Sequence, residues 1–163
     1  MDDLFAPPGT PWQPVSPALG RLRRLLLVGW AVVAAVAVVT LATVFSPPSW
    51  LVVALLALLV VGAVAGWVLV GRNARWWGYA EREDELYVKH GALLRRLVVV
   101  PYGRMQYVDV QAGPLEQLFK VASVHLHTAS PGTSARIPGL PAAEAARLRD
   151  RLTSLGESQA AGL

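Results

Sequence analysis

Two uncharged apolar runs, at residues 25–45 and 50–70, constrain this chain more than any other feature. Each run has 21 residues and contains no Asp, Glu, Lys or Arg. As a helix, a run of this length spans about 31 Å, close to the thickness of the hydrocarbon core of a bilayer. A charged side chain at the centre of a membrane helix costs about 2.5–3.5 kcal/mol, so long uncharged runs are typical of a lipid environment. The sequence therefore predicts two membrane helices.

Positive charge flanks this pair of runs and predicts a hairpin. Basic residues precede the first run and follow the second, while residues 46–49 between them carry no charge. Because positively charged flanks stay in the cytoplasm, we expect both termini on that side. Pro47 and Pro48 suit the tight turn that joins the helices. The basic residues are Arg21, Arg23, Arg24, Arg72 and Arg75.

Small residues on both runs predict close packing between the two helices. Gly62 and Gly66 form a Gly-xxx-Gly pair in the second run, and the first run carries small side chains at Ala31, Ala34 and Ala35. Small residues let helix backbones approach each other in a membrane. Dimerisation through the same face is the alternative interpretation.

The rest of the chain divides into a leader, a soluble domain and a tail. Residues 1–20 contain five spaced prolines, which predict an extended, disordered leader because proline disrupts helix and sheet. Trp12 in this leader has three possible environments: the membrane interface, the soluble domain or solvent. We expect the hairpin within residues 21–71, a cytoplasmic domain at 72–156 and a frayed tail at 157–163.

Composition excludes several classes of function for the part of the chain after the hairpin. The chain has no cysteine, which removes disulfides, thiolate catalysis and cysteine-ligated metals. Residues 71–163 hold 12 Lys and Arg and nine Asp and Glu, a surplus of three positive charges. A nucleic-acid-binding domain usually has a denser basic face. Residues 71–163 are enough for one small domain.

The pattern after residue 71 predicts an all-β unit closed by a helix. Short β-branched and aromatic runs alternate with turn signals, and Val124 and Leu126 share one strand face opposite His125 and His127. Residues 141–155 carry Ala and Leu at helical spacing, which predicts an amphipathic helix that packs on the sheet. The predicted strands lie near residues 77–82, 86–90, 93–100, 105–111, 123–129 and 135–137.

Six strands followed by an amphipathic helix is the element order of a pleckstrin-homology-like (PH-like) barrel, whose strict members have seven strands. The chain also resembles the bacterial PH-like membrane proteins of the YdbS type, which share the patterns V/I-P-Y-x-R-I-Q-x-V-x-V, G-P-L-x-R-x-F-G-L-A and I-P-G-L. It departs from these patterns at Met105, Gln117 and Lys120, the last standing where the family has Gly. The matching residues are Pro101, Tyr102, Arg104, Gln106, Val108, Val110, Gly113, Pro114, Leu115, Phe119, Ala122, Thr128, Ala129, Ile137, Pro138, Gly139 and Leu140.

The resemblance implies a bacterial inner-membrane protein: a two-helix transmembrane hairpin followed by a PH-like antiparallel β barrel of about seven strands, capped by a C-terminal α-helix. Members of this family are often encoded beside a larger membrane protein with several copies of the same domain. The resemblance therefore implies such a protein, or a second copy of this chain, as the partner. We interpret the motif residues as structural, with Pro101 ending a strand, Tyr102 packing, and Arg104 and Gln106 bonding backbone carbonyls. A partner-binding surface is the alternative.

We find no catalytic or metal site in the sequence and expect no cofactor. His125 and His127 lie two apart on one strand face, and His90 is a third imidazole, but zinc needs three or four placed ligands. We interpret them as solvent-facing strand histidines. Residues 81–85 contain four carboxylates around a turn, which is typical of a solvated sheet edge.

Three hypotheses for function remain at this stage. The first is a non-enzymatic membrane protein whose PH-like domain serves protein–protein interaction or homo-oligomeric assembly. The second is a sensor of anionic lipid headgroups, because basic side chains near a membrane attract such lipids. The third is a membrane scaffold with an OB-like barrel, in which the closing helix is an appendage. The candidate lipid or partner contacts are Arg95, Arg96, Arg104 and Lys120.

Overall fold

A computed structural model describes residues 9–129 and 134–161. Two long helices form a hairpin: α1 covers Pro17–Phe45 and α2 covers Ser49–Trp76. Ser46 ends α1 in the left-handed conformation, with φ of 46°, and its N–H donates to the Ala42 carbonyl. The two prolines that follow make the turn short, as their inability to extend a helix predicts.

The apolar runs of the hairpin are not covered by the rest of the described chain. Large side chains such as Trp30, Phe45 and Trp50 are 72%, 75% and 69% exposed. The most apolar 18-residue window of each helix is not buried inside the protein at all. Two exposed apolar surfaces of this length are stable only where lipid replaces water as the solvent. The chain is a transmembrane protein with two candidate membrane helices.

Only the second glycine of the predicted Gly-xxx-Gly pair approaches α1. A Cβ placed on Gly66 would lie 2.5 Å from Leu27 Cδ1, so the missing side chain lets α1 pack there. A Cβ on Gly62 would meet nothing within 4 Å. Gly62 therefore lies away from the helix contact and does not serve the packing role predicted for it.

The β domain consists of two antiparallel sheets. The first sheet has the order β1-β2-β3-β4 and the second has the order β5-β6-β7. The first contains β1 (Gln13–Pro14), β2 (Gly78–Glu81), β3 (Glu85–His90) and β4 (Arg96–Pro101). The second contains β5 (Met105–Gln111), β6 (Val121–Thr128) and β7 (Ala135–Pro141). A 3-10 turn at Tyr102–Arg104 joins the sheets, and α3 (Pro114–Leu118) joins β5 to β6.

Helix α4 (Ala142–Ala161) closes the space between the sheets. Its residues Ala145, Leu148 and Leu152 are fully buried, at the positions that their helical spacing predicts. Because these side chains fill the core, α4 is an integral part of the barrel and not the appendage of the OB-like hypothesis. The predicted fold class is confirmed: an apolar helical hairpin and seven antiparallel strands in two sheets, capped by a C-terminal helix.

The structure differs from the predicted disordered leader over residues 13–20. Gln13 and Pro14 pair with β2, where an edge strand tolerates proline, and α1 begins at Pro17, whose missing N–H costs nothing in a first turn. Val15 and Leu19 are 7% and 3% exposed and belong to the core. The hairpin is thus inserted between β1 and β2 of one domain. Residues 1–8 of the predicted leader lie outside the described residues.

The C-terminal helix also extends beyond its predicted end at residue 155. Gly156 keeps a helical backbone, and α4 continues to Ala161 through most of the predicted frayed tail. A Cβ on Gly156 would lie 3.7 Å from both Met105 Cε and the Tyr102 carbonyl oxygen. Gly156 therefore packs against the 3-10 turn at residues 102–104 and does not end the helix. Residues 162–163 lie outside the described residues.

Candidate functional site

The first half of the family motif forms the corner between the two sheets. Pro101 ends β4, and Tyr102 starts the 3-10 turn with its side chain completely buried. The Tyr102 hydroxyl donates to the Arg82 carbonyl at 3.0 Å, and its N–H donates to the Asp84 carbonyl at 3.0 Å. Burial raises the pKa of this tyrosine. Both residues thus lie at the corner between the sheets, and Tyr102 is bonded to the β2–β3 turn.

Arg104 and Gln106, the other two residues of this half, do not make with the described residues the bonds to backbone carbonyls that the sequence analysis expected. Arg104 and Gln106 are exposed, and the described residues offer neither side chain a hydrogen bond to a backbone carbonyl. Gln106 occupies a register shift between Met105 and Tyr107, where β5 has one residue more than β6. Such a bulge re-aims the side chains of an edge strand. Gln106 is thus presented on the surface.

The second half of the motif forms α3 (Pro114–Leu118). The Gly113 N–H donates to Glu116 Oε2 at 2.9 Å, which satisfies one free donor at the start of this helix. Phe119 ends the helix and is half-buried. Lys120 follows with φ of 54°, a conformation that glycine adopts without strain. This explains the glycine of the family pattern at that position.

The four basic candidates do not form one pocket. The Arg95 guanidinium lies 4.1 Å from the ring centre of Trp76 at the end of α2, and Arg96 begins β4. Arg104 follows the opposite end of that six-residue strand, about 17–20 Å away. Lys120 precedes β6 in the other sheet. Of the four, Arg95 contacts a membrane helix, and Arg96 is its neighbour in the chain.

An ion-pair network that the sequence analysis missed joins β2 to α4. The Glu81 side chain is only 7% exposed and contacts Arg147 at 2.6 Å and Arg151 at 3.0 Å. Glu144 bonds Arg147 at 2.6 Å and accepts from the Tyr79 hydroxyl at 2.6 Å. The predicted solvated edge is therefore wrong for Glu81, which pairs with residues about 66 positions later in the chain.

This network shifts the pKa values of Tyr79, Glu144 and Arg147 in the directions that their contacts require. Burial, followed by the hydrogen bond to Glu144, raises the pKa of Tyr79. The hydrogen bond from Arg147 lowers the pKa of Glu144, and its bonds to Glu144 and Glu81 raise the pKa of Arg147. The network therefore positions α4 against β2.

The histidines lie in two separate places. His125 and His127 are half-buried on β6, and the His127 ring stacks on Tyr107 with 4.3 Å between centres. His90 ends β3 in the other sheet and stacks on Trp77, with 4.8 Å between ring centres. Burial, followed by the charge of Arg136, lowers the pKa of His125. Within residues 9–129 and 134–161 no group of three metal-ligating side chains occurs.

A surface groove runs along the open edge of the second sheet. β5 pairs with β6 on one side, and no described strand pairs with its other side. α4 lies next to β5, and a cavity of about 310 Å³ separates them. Met105 and Val108 contribute apolar surface to it, and the fully buried Leu152 borders it from the core. Its other lining residues are Gln106, Tyr107, Thr153, Gly156 and Glu157.

Comparison with known proteins agrees with this architecture. The family model described as Bacterial PH domain matches residues 23–155. This chain belongs to the bacterial PH domain family. It is 30% identical over 136 residues to the UPF0699 transmembrane protein YdbS of Bacillus subtilis (strain 168), covering 83% of this chain and 84% of that protein. No solved structure matches the chain significantly.

Membership of the bacterial PH domain family confirms the resemblance seen in the motif. The matched region begins within α1, so it includes the hairpin and excludes β1. Neither comparison indicates a catalytic family. The chain is a transmembrane protein with a bacterial PH domain, and the structure adds that its first strand precedes the membrane helices.

Proposed function

We propose that this bacterial PH domain is a non-enzymatic interaction module on the cytoplasmic side of the membrane, where it binds a second membrane protein with related domains or a second copy of this chain. The observation that supports the proposal is the open edge of β5 beside α4. An extended peptide that adds to such an edge gains main-chain hydrogen bonds, while adjacent pockets select its side chains. The partner segment therefore lies along β5.

The lining of the groove suits a partner with alternating apolar and polar side chains. Met105 and Val108 form an apolar base, while Gln106 and Glu157 contribute polar groups at its margin. Side chains of an added strand point alternately into the groove and away from it. The bulge at Gln106 shortens the regular part of the edge and favours a short partner segment.

Site-specific cross-linking tests this proposal in the full chain within its own membrane. A photo-reactive phenylalanine analogue at Thr153 lies in the groove, and the same residue at Ser154 is the control, since Ser154 is exposed on α4 outside the lining. We expect a discrete adduct from Thr153 and none from Ser154. An adduct of twice the chain mass indicates self-association, and a larger one indicates a second protein.

A competing substitution separates specific binding from proximity. Thr153→Trp fills the groove from an exposed helix position, and Ser154→Trp changes the neighbouring exposed position. With the photo-reactive group moved to Gln106, we expect Thr153→Trp to abolish the adduct and Ser154→Trp to preserve it. Equal labelling from groove and control positions, or no adduct at any of them, would refute the interaction proposal.

The cytoplasmic location has its own test. The chain has no cysteine, so single cysteines at Glu83 and at Pro47 report the two sides of the hairpin. In intact cells we expect a membrane-impermeant maleimide to label the Pro47→Cys variant and to spare the Glu83→Cys variant. The opposite pattern places the domain outside the cytoplasm.

A further inference from the structure

The turn between β3 and β4 exposes two leucines at its tip. Leu93 and Leu94 are 76% and 89% exposed, more than any other large apolar side chain of the described domain. Adjacent exposed leucines on a soluble surface usually mark a contact site. The exposed large apolar side chains outside the two membrane runs are Leu93, Leu94, Tyr107, Leu115 and Leu118, among the residues that the structure describes.

This tip lies at the depth where the apolar run of α2 ends. A cavity of about 390 Å³ separates the tip from α2, and its walls include Leu69 and Val70 on α2 opposite Leu93 and Leu94. Leu69 and Val70 are the last two residues of the uncharged run 50–70. The two leucines are therefore level with residues that the membrane itself surrounds.

Aromatic contacts fix the tip beside α2. Arg95 lies over the Trp76 ring at 4.1 Å, and His90 stacks on Trp77 at 4.8 Å. Gly91 has φ of 93°, and a Cβ there would collide with the Leu94 carbonyl oxygen. The turn therefore has a defined shape, and its two ends are held against the last residues of α2 and the first residue after it.

We infer that the β3–β4 tip is a membrane-inserting wedge that binds phospholipid of the leaflet on the domain side. Leu93 and Leu94 enter the boundary between acyl chains and headgroups, which continues the lipid-facing surface of α2. Arg95 and Arg96 follow directly in the chain and lie where anionic headgroups attract basic side chains. A protein partner at this depth would have to displace lipid from around α2, so the bilayer is the occupant. This inference is independent of the groove at β5.

Depth-dependent fluorescence quenching tests the wedge in the full chain. Leu94→Cys is labelled with a small fluorophore, and Glu83→Cys is the matched control because the β2–β3 turn lies at the opposite end of β3 and is exposed. Both proteins are placed in nanodiscs of phosphatidylcholine and phosphatidylglycerol in equal amounts. We expect lipids with a nitroxide near the carbonyl to quench Leu94→Cys and aqueous iodide to quench Glu83→Cys. Equal quenching of both by iodide would overturn the inference.

Charge dependence tests the part assigned to the arginines. Replacing Arg96 by Gln removes one exposed charge without touching the Trp76 contact. An attraction of about 1 kcal/mol for each basic residue corresponds to an approximately fivefold fall in the ratio of inserted to withdrawn tip. We expect this fall in nanodiscs that contain phosphatidylglycerol and no change in phosphatidylcholine alone. If the ratio of inserted to withdrawn tip is the same in both lipid compositions, for the unchanged chain and for Arg96→Gln alike, the arginines do not bind headgroups.

Discussion

Gly139→Ala probes whether the membrane hairpin and the PH domain are one rigid unit. Gly139 lies in β7 with φ of 69°, and its carbonyl accepts from the Ser16 N–H at 2.9 Å, one residue before α1. A Cβ on Gly139 would lie 2.6 Å from Leu19 Cβ and 3.1 Å from its Cγ. The substitution therefore pushes the first turns of α1 away from the sheet.

The magnitude follows from two separate costs. An alanine in the left-handed conformation costs about 1–2 kcal/mol, and overpacking a core contact costs about 1–3 kcal/mol. We expect the free energy of unfolding to fall by about 2–5 kcal/mol. Leu19→Ala alone leaves a cavity and lowers it by about 2–5 kcal/mol, because Leu19 is 3% exposed. The double variant removes the contacts with Leu19 Cγ and Cδ1, at 3.1 and 3.2 Å, but keeps the 2.6 Å approach to Cβ, so its loss is smaller than the sum by about 1 kcal/mol.

Denaturant unfolding of the full chain in detergent micelles, followed by tryptophan fluorescence, measures the cycle. Gly62→Ala is the control, because a Cβ there meets nothing within 4 Å and alanine is a better helix former than glycine, so we expect no fall in the free energy of unfolding. If the two domain substitutions add to within about 0.5 kcal/mol, α1 does not press on β7 and the rigid-unit argument fails.

Three further predictions concern the domain itself. Lys120→Gly raises the free energy of unfolding by about 1 kcal/mol because glycine adopts positive φ without strain, while Lys120→Ala leaves it unchanged in the same denaturant assay. Glu81→Gln lowers it by about 1–2 kcal/mol because Arg147 loses one of its two carboxylate partners and Arg151 loses its contact with Glu81; an equal loss from the exposed Glu83→Gln would contradict the network. Since the folded pKa of His125 lies below the ordinary value of 6.5, the unfolded chain binds protons first, and stability falls as the pH drops below 6.5. We expect His125→Gln to make the free energy of unfolding less dependent on pH in this range. If the pH dependence is unchanged in this variant, His125 is not its cause.

Local periodicity accounts for the parts of the fold that could be predicted. The uncharged runs defined the membrane helices, because a span in lipid must be apolar along its whole length and must satisfy its backbone hydrogen bonds internally. The alternation of Val124 and Leu126 located β6, and the spacing of Leu148 and Leu152 located the buried face of α4. Each of these signals comes from neighbouring residues, which a single helix or strand places on one face.

The parts that were missed depend on contacts between distant residues. β1 has two residues and no period of its own, and it exists only because Gln13 pairs with Tyr79 across the whole hairpin. Glu81 looks like one more acid in a charged turn until α4 brings Arg147 against it. The same applies to the candidate site, since the groove needs β5 at a sheet edge and α4 beside it.

For this protein the sequence alone determined that the two uncharged runs lie in lipid and that strands and a closing helix follow them, since hydrophobicity and local spacing act within a few residues. Tertiary structure alone decided that the hairpin is an insertion between β1 and β2, that Leu93 and Leu94 lie level with the end of α2, and that β5 keeps an open edge. Those outcomes depend on which distant surfaces bury each other, and packing of that kind has no period along a chain.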